Sequence, residues 1–131
     1  MKTITIRTHS QVEMIDITGE VRNAVAESGV TEGAALLFVP HTTAAVTINE
    51  NADPDVQRDM VMEINKIIPW NDAYRHAEGN SAAHIKSTLV GAGEWLIIDN
   101  GRPVLGTWQG IYFCEFDGPR NRKLHIKVIP S

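Results

Sequence analysis

Cysteine occurs once in the chain, at position 114, so no intramolecular disulfide can form and a disulfide-stapled secreted domain is argued against. Positive charge is also scarce: 12 Lys and Arg stand against 16 Asp and Glu, a formal net charge of -4. A protein that grips nucleic acid through phosphates needs a clustered basic face, which this balance argues against. Only a local anion site around Arg102, Arg120, Arg122 and Lys123 stays open. The opening MKTITIRTHSQVEM alternates polar with apolar residues and has no unbroken apolar segment of signal-peptide or membrane-span length. The expectation is a cytoplasmic protein with neither a membrane nor a nucleic acid as partner.

Familiar motifs are missing too. The chain has no HExxH and no paired CxxC, so metal chemistry has no recognisable zinc spacing to rest on. Gly106 and Gly110 in LGTWQG are too sparse for a P-loop or a dinucleotide fingerprint. NENADPDV resembles a calcium loop but lacks the glycine and terminal glutamate of an EF-hand.

What remains is the composition of an ordinary globular protein, 43% hydrophobic and 21% charged over 131 residues, which suits one domain spanning residues 1–131. Alternating residues predict strands at 2–7 and 12–17. From Thr18 the spacing of Val21, Ala24 and Val25 predicts a short helix ended by Gly29. GAALLFVPHTTAAVTINE, residues 33–50, reads as two strands of a central sheet, buried on both faces and interrupted near Pro40. Asp53 and Pro54 open a helix with Val56, Met60, Ile64, Ile67 and Ile68 on one face, ended by Pro69. Asn80 or Ser81 caps a third helix running towards Val90 and Gly91. EWLIID, the turn pair Asn100-Gly101 and RPVLGTWQ predict a hairpin, with IYFCEF and LHIKVI following as strands. The expected fold is α+β, a mainly antiparallel, sandwich-like sheet with two to three helices, because most strand connections are too short for parallel crossovers.

HAEGNSAAH, residues 76–84, concentrates polar chemistry in nine residues. His76 in a loop and His84 in the next helix can converge, and His41 follows a strand that looks buried, where a polar side chain needs a partner. A metal centre would use His41, His76 and His84 as ligands, with Glu50, Glu78 or Glu115 as a carboxylate ligand or base. Glu115 shares strand parity with Ile111 and Phe113; either it is buried there, where a carboxylate needs a cation, a metal or several donors, or it sits at the strand end near the turn and reaches solvent. Trp108 and Gln109 offer a stacking face and an amide for a heteroaromatic ring. Cys114 sits in an apolar strand and reads as an inert, packed thiol.

Three blocks, PHTTAAVTINENADPDV, HAEGNSAAHIKSTLVG and LGTWQGIYFCEFDGPR, resemble the secondary thiamine-phosphate synthase family, also called the YjbQ-like proteins, over almost the whole chain. The resemblance implies a small α+β fold, a homotrimer and a polar pocket near the subunit boundary. It also implies an enzyme that couples hydroxymethylpyrimidine diphosphate to thiazole phosphate with release of pyrophosphate. It carries over His41, Asn49 and Glu50 from the first block, His76, Asn80 and His84 from the second, and Gln109 and Glu115 from the third. On that reading His41, His84, Glu50 and Glu115 are catalytic, while Asn49, Asn80, Trp108 and Gln109 bind a small phosphorylated substrate. A divalent ion, Mg or Zn, neutralises the diphosphate. Two other expectations stand beside it: a metal-dependent hydrolase of a small metabolite, and a trimeric small-molecule-binding protein without turnover.

Overall fold

Side-chain alternation at the N-terminus produces β1 (Lys2–Arg7), with Ile6 buried and Thr3, Thr5 and Arg7 outward, in the computed structural model of residues 1–131. Seven further strands and three helices follow: β2 (Glu13–Asp16), α1 (Thr18–Ser28), β3 (Gly33–Phe38), β4 (Ala44–Glu50), α2 (Pro54–Ile67), α3 (Ser81–Val90), β5 (Gly93–Asp99), β6 (Arg102–Pro103), β7 (Gln109–Glu115) and β8 (Asn121–Pro130). They form two antiparallel sheets, one of five strands in the order β1-β8-β3-β5-β6 and one of three in the order β2-β7-β4. The α+β, mainly antiparallel expectation stands.

The main core lies between the sheets. Ile6, Ala35, Leu37, Leu96, Ile98, Leu124 and Ile126 of the larger sheet meet Ala44, Val46, Ile111 and Phe113 of the smaller, with Val21 and Val25 of α1 closing one side. β7 is buried on both faces. Its opposite parity, continued by Phe116, packs Cys114 and Phe116 with Ala45 and Ala83 under the layer made by α2 and α3. α3 is pinned to that layer by Ser87, whose hydroxyl donates to the Ala44 carbonyl at 2.6 Å.

Two expectations need correction. Residues 33–50 do form two strands, but β3 and β4 belong to different sheets, so Pro40–Thr43 is a crossing between layers. β3 is therefore covered on one face only, and Phe38 is exposed on the other. RPVLGTWQ pairs only at its start: Asn100 and Gly101 adopt the left-handed turn (φ 54° and 75°), β6 pairs with β5, the Val104 N–H donates to the Ile97 carbonyl at 2.8 Å, and the returning chain then leaves the sheet. α2 is capped as expected, Asp53 accepting from the Asp55 N–H at 2.9 Å. Yet none of its residues is fully buried, because a cleft of about 280 Å³ lined by Met14, Met60, Ile64, Val90, Cys114 and Phe116 separates it from β7.

Candidate functional site

Glu115 is the structural origin of the site. It ends β7 with no solvent exposure, and burial alone would raise its pKa. Donors outweigh that cost: Arg122 Nη2 and Nε at 2.5 and 2.7 Å, the Asp117 N–H at 2.9 Å and the Thr8 hydroxyl at 2.9 Å. The carboxyl is held below its ordinary value, ionised against a guanidinium that is itself 3% exposed. Arg122 Nη2 also donates to the carbonyl and hydroxyl of Thr43. One buried ion pair thus ties together the ends of β7 and β8, the Thr8 segment and the crossing at Thr43.

The next residues on these same segments line a polar cleft of about 300 Å³: Thr42 and Thr43 from the crossing, Asp117 and Arg120 from the β7–β8 turn, and His76, Glu78, Asn80 and His84 around the start of α3. The turn must approach closely, since a Cβ at Gly118 would stand 2.4 Å from the Ser10 carbonyl oxygen and 2.7 Å from Glu115 Cγ. His76 and His84 converge as expected, their rings edge to face with centroids 5.6 Å apart. Asn80 stands at the cap position of α3 but makes no cap bond. Its Nδ2 donates instead to Asp117 Oδ2 at 2.9 Å, a carboxylate also paired with Arg120 at 3.1 Å. That leaves Asn80 Oδ1 buried with no partner. An orphaned acceptor costs about 1–3 kcal/mol, so its placement in a cleft points to a ligand donor.

The other sequence candidates lie elsewhere. In the β4–β7 ladder Ala44 pairs with Glu115 at one end and Glu50 with Gln109 at the other. At about 3.4 Å per residue this puts Asn49, Glu50, Trp108 and Gln109 roughly 20 Å from Glu115. There Asn49 Oδ1 accepts from the Glu50 N–H, Gln109 Oε1 accepts from the Gly106 N–H, and Trp108 is 63% exposed. His41 sits beside the ion pair but does not line the cleft. Its Nε2 accepts from the Lys123 N–H at 2.9 Å, which leaves the proton on Nδ1. Burial, then the Arg122 charge, lower its pKa. The three-histidine metal centre is therefore corrected: no group of three or more His, Cys, Asp or Glu side chains converges so as to hold a metal ion. Cys114 is an inert thiol, its pKa pushed up to about 12 by burial.

A family model described as UPF0047 protein YjbQ-like matches residues 2–131. The chain belongs to the YjbQ-like UPF0047 family. It is 57% identical over 130 residues to the UPF0047 protein YugU of Bacillus subtilis, covering 98% of each chain. A UPF0047 protein of Methanocaldococcus jannaschii is 52% identical, with 95% of this chain and 90% of that one covered. The crystal structure of an uncharacterised YjbQ/UPF0047 protein from Clostridium acetobutylicum superposes with a TM-score of 0.97 at 53% identity, covering 98% of this chain and all of that one. A YbjQ-like protein of unknown function from Sulfolobus solfataricus gives 0.95 at 32% identity over 99% and 96%. These relatives support the family and the fold and correct the activity. The family is one of unknown function, and nothing in these matches supports thiamine-phosphate synthesis, so the transferase reading is withdrawn along with its place in thiamine biosynthesis.

Sequence reasoning missed Thr42, Thr43 and Asp117 as cleft residues and Arg122 as the cation of Glu115. The signal for Arg122 was present: its position in β8 makes it alternate with Leu124 and Ile126, which are both buried.

Proposed function

We propose that the His76–His84 cleft binds a small, hydroxyl- or amine-bearing metabolite and transfers protons on it. The carrying observation is the buried, unpartnered Asn80 Oδ1 beside two imidazoles. Every lining residue is polar. Acceptors dominate, with Asn80 Oδ1, the Asp117 and Glu78 carboxylates and the ring nitrogens set against the Arg120 and threonine donors, which favours a ligand that donates hydrogen bonds. His84, on the first turns of α3, is the better placed proton-transfer group because the helix fixes it; His76 lies on an exposed loop. Glu115 positions Asp117 directly and Thr43 through Arg122, and leaves substrate contact to them, since its own oxygens are engaged.

A screen of small polyols and amino alcohols by NMR tests this reading. Hits should perturb the amides of residues 76–84 saturably, with binding lost in folded His84→Gln and weakened less in His76→Ala. Hits that map elsewhere, or that bind His84→Gln unchanged, refute it.

We further propose that the chain works as a homotrimer in the cytoplasm. Alternation along β3, β5 and β8 puts Phe38, Trp95, Ile97 and Ile129 together on the uncovered face of the larger sheet, each more than 40% exposed. A contiguous apolar face of this kind supports a subunit contact. Light scattering should give the mass of three 14.5 kDa chains, and a monomer mass overturns the proposal. One buried, unpaired cysteine suits a reducing compartment. No helix is long and apolar enough to cross a membrane.

A further inference from the structure

We propose that Lys86 anchors a second ligand site, separate from the histidine cleft, which takes a small carboxylate. Lys86 is two residues beyond His84 on α3, about 200° around the helix, so it faces a different side. Its side chain is among the most buried in the protein, at 1% exposure. Lysine is almost never buried this far without a counter-charge. No carboxylate lies within ion-pair distance, the four ion pairs of the chain being Lys2–Glu27, Arg58–Asp55, Arg120–Asp117 and Arg122–Glu115. The ammonium makes one hydrogen bond, to Asn65 Oδ1 on α2 at 2.6 Å. An ammonium has three N–H donors, so two have no protein acceptor.

Lys86 and its partner Asn65 line a cleft of about 480 Å³ together with Gln11, Pro69, Trp70 and Asn71. One wall is braced, because the Tyr74 hydroxyl donates to the Pro69 carbonyl at 2.7 Å. Asn65 spends its oxygen on Lys86, which turns its NH2 group outward as a further donor. Gln11 and Asn71 add two more amides, and Trp70 and Pro69 provide apolar surface. One positive charge, several neutral donors and no acidic side chain fit a monoanionic carboxylate. A diphosphate would need further cations than this cleft holds. A mere link between α2 and α3 would be made more cheaply by a glutamine, without a buried charge. Burial lowers the Lys86 pKa, as expected for a cation lacking its partner.

The test titrates the 15N-labelled full chain with sodium acetate, against sodium chloride at matched ionic strength. Acetate should produce saturable shifts at the amides of Gln11, Asn65, Asn71 and Lys86. Lys86→Met removes the charge and keeps the length, and its acetate affinity should fall about tenfold or more. Asn65→Asp sets a carboxylate where the amide oxygen now meets the ammonium; it should remain folded and block acetate equally, which keeps the test decisive if Lys86→Met does not fold. Shifts that chloride reproduces, or acetate binding that persists in Asn65→Asp, would overturn the proposal. Neither outcome bears on the histidine cleft, whose probes and amides differ.

Discussion

Replacing Arg122 with methionine isolates the ion pair that organises the site. Glu115 would keep two donors, Thr8 and the Asp117 N–H, but lose its only counter-charge while remaining fully buried. Breaking a buried pair from one side costs about 3–5 kcal/mol, a large share of the roughly 5–15 kcal/mol that holds a domain together. With an unfolding entropy of about 2.1 cal/mol/K per residue, that loss lowers Tm by roughly 11–18 °C in a chain of 131 residues. The pH dependence gives the sharper signature. In the wild type the Glu115 pKa lies below the ordinary 4.5, so its contribution is fully present above that value and is lost as pH falls through the folded pKa. In Arg122→Met desolvation is left without its main opponent and the folded pKa rises above 4.5. The contribution is then present at low pH and lost as pH rises through the raised value. Urea unfolding at pH 5 and pH 7.5 should therefore find the variant closer to wild-type stability at pH 5. A double variant, Glu115→Leu with Arg122→Met, should cost less than Arg122→Met alone, since no buried charge is stranded. A cost under about 1 kcal/mol, or a pH slope parallel to that of the wild type, would refute the reasoning.

His41, with its folded pKa lowered by burial and by Arg122, favours the fold in its neutral form. Its contribution is intact above the unfolded value of 6.5 and declines as pH falls from there through the folded pKa; His41→Gln should flatten that part of the stability profile, and an unchanged profile counts against the assignment. Gly118→Ala should cost about 1–3 kcal/mol in chemical denaturation, because its Cβ would meet the Ser10 backbone oxygen at 2.4 Å; wild-type stability would show that the turn yields freely. Cys114, buried with a pKa near 12, should resist a thiol reagent at pH 8 in the native protein and react once urea unfolds it; rapid native labelling would contradict its packing.

The local elements were legible because each carried its own chemistry: Pro54 behind Asp53 opens α2, Gly29 closes α1 in the left-handed conformation, and Asn100-Gly101 makes the tight turn. Layer membership was not legible. The apolar pattern of residues 33–50 is the same whether its two strands share a sheet or, as here, cross between sheets, because periodicity reports which residues are buried and not what buries them. The same limit divided the candidate site. His76, Asn80 and His84 come together because a loop folds back onto a helix start. Asn49, Glu50, Trp108 and Gln109 fall at the far end of an antiparallel ladder, where nearness in motif blocks says nothing about distance in space. Glu115 was flagged as expensive to bury, and the expectation left a cation, a metal or several donors open; Arg122, Thr8 and the Asp117 N–H fill that need together.

The start of α3 shows what the cleft costs the fold. A capping asparagine contributes about 1 kcal/mol to a helix, and α2 takes that contribution through Asp53. Asn80 holds the equivalent position in α3 and gives it up. Its amide turns away from the helix to Asp117, and its oxygen is left buried and unpaired. Two local rules are broken by one side chain, which is the pattern expected where a position is kept for a ligand. The offset comes from Glu115 and Arg122, which anchor Asp117 through its N–H and Thr43 through both its oxygens. The polar cleft is thus held by a buried pair that does not itself line it, so a fault in that pair should distort the cleft while the helices and strands around it persist.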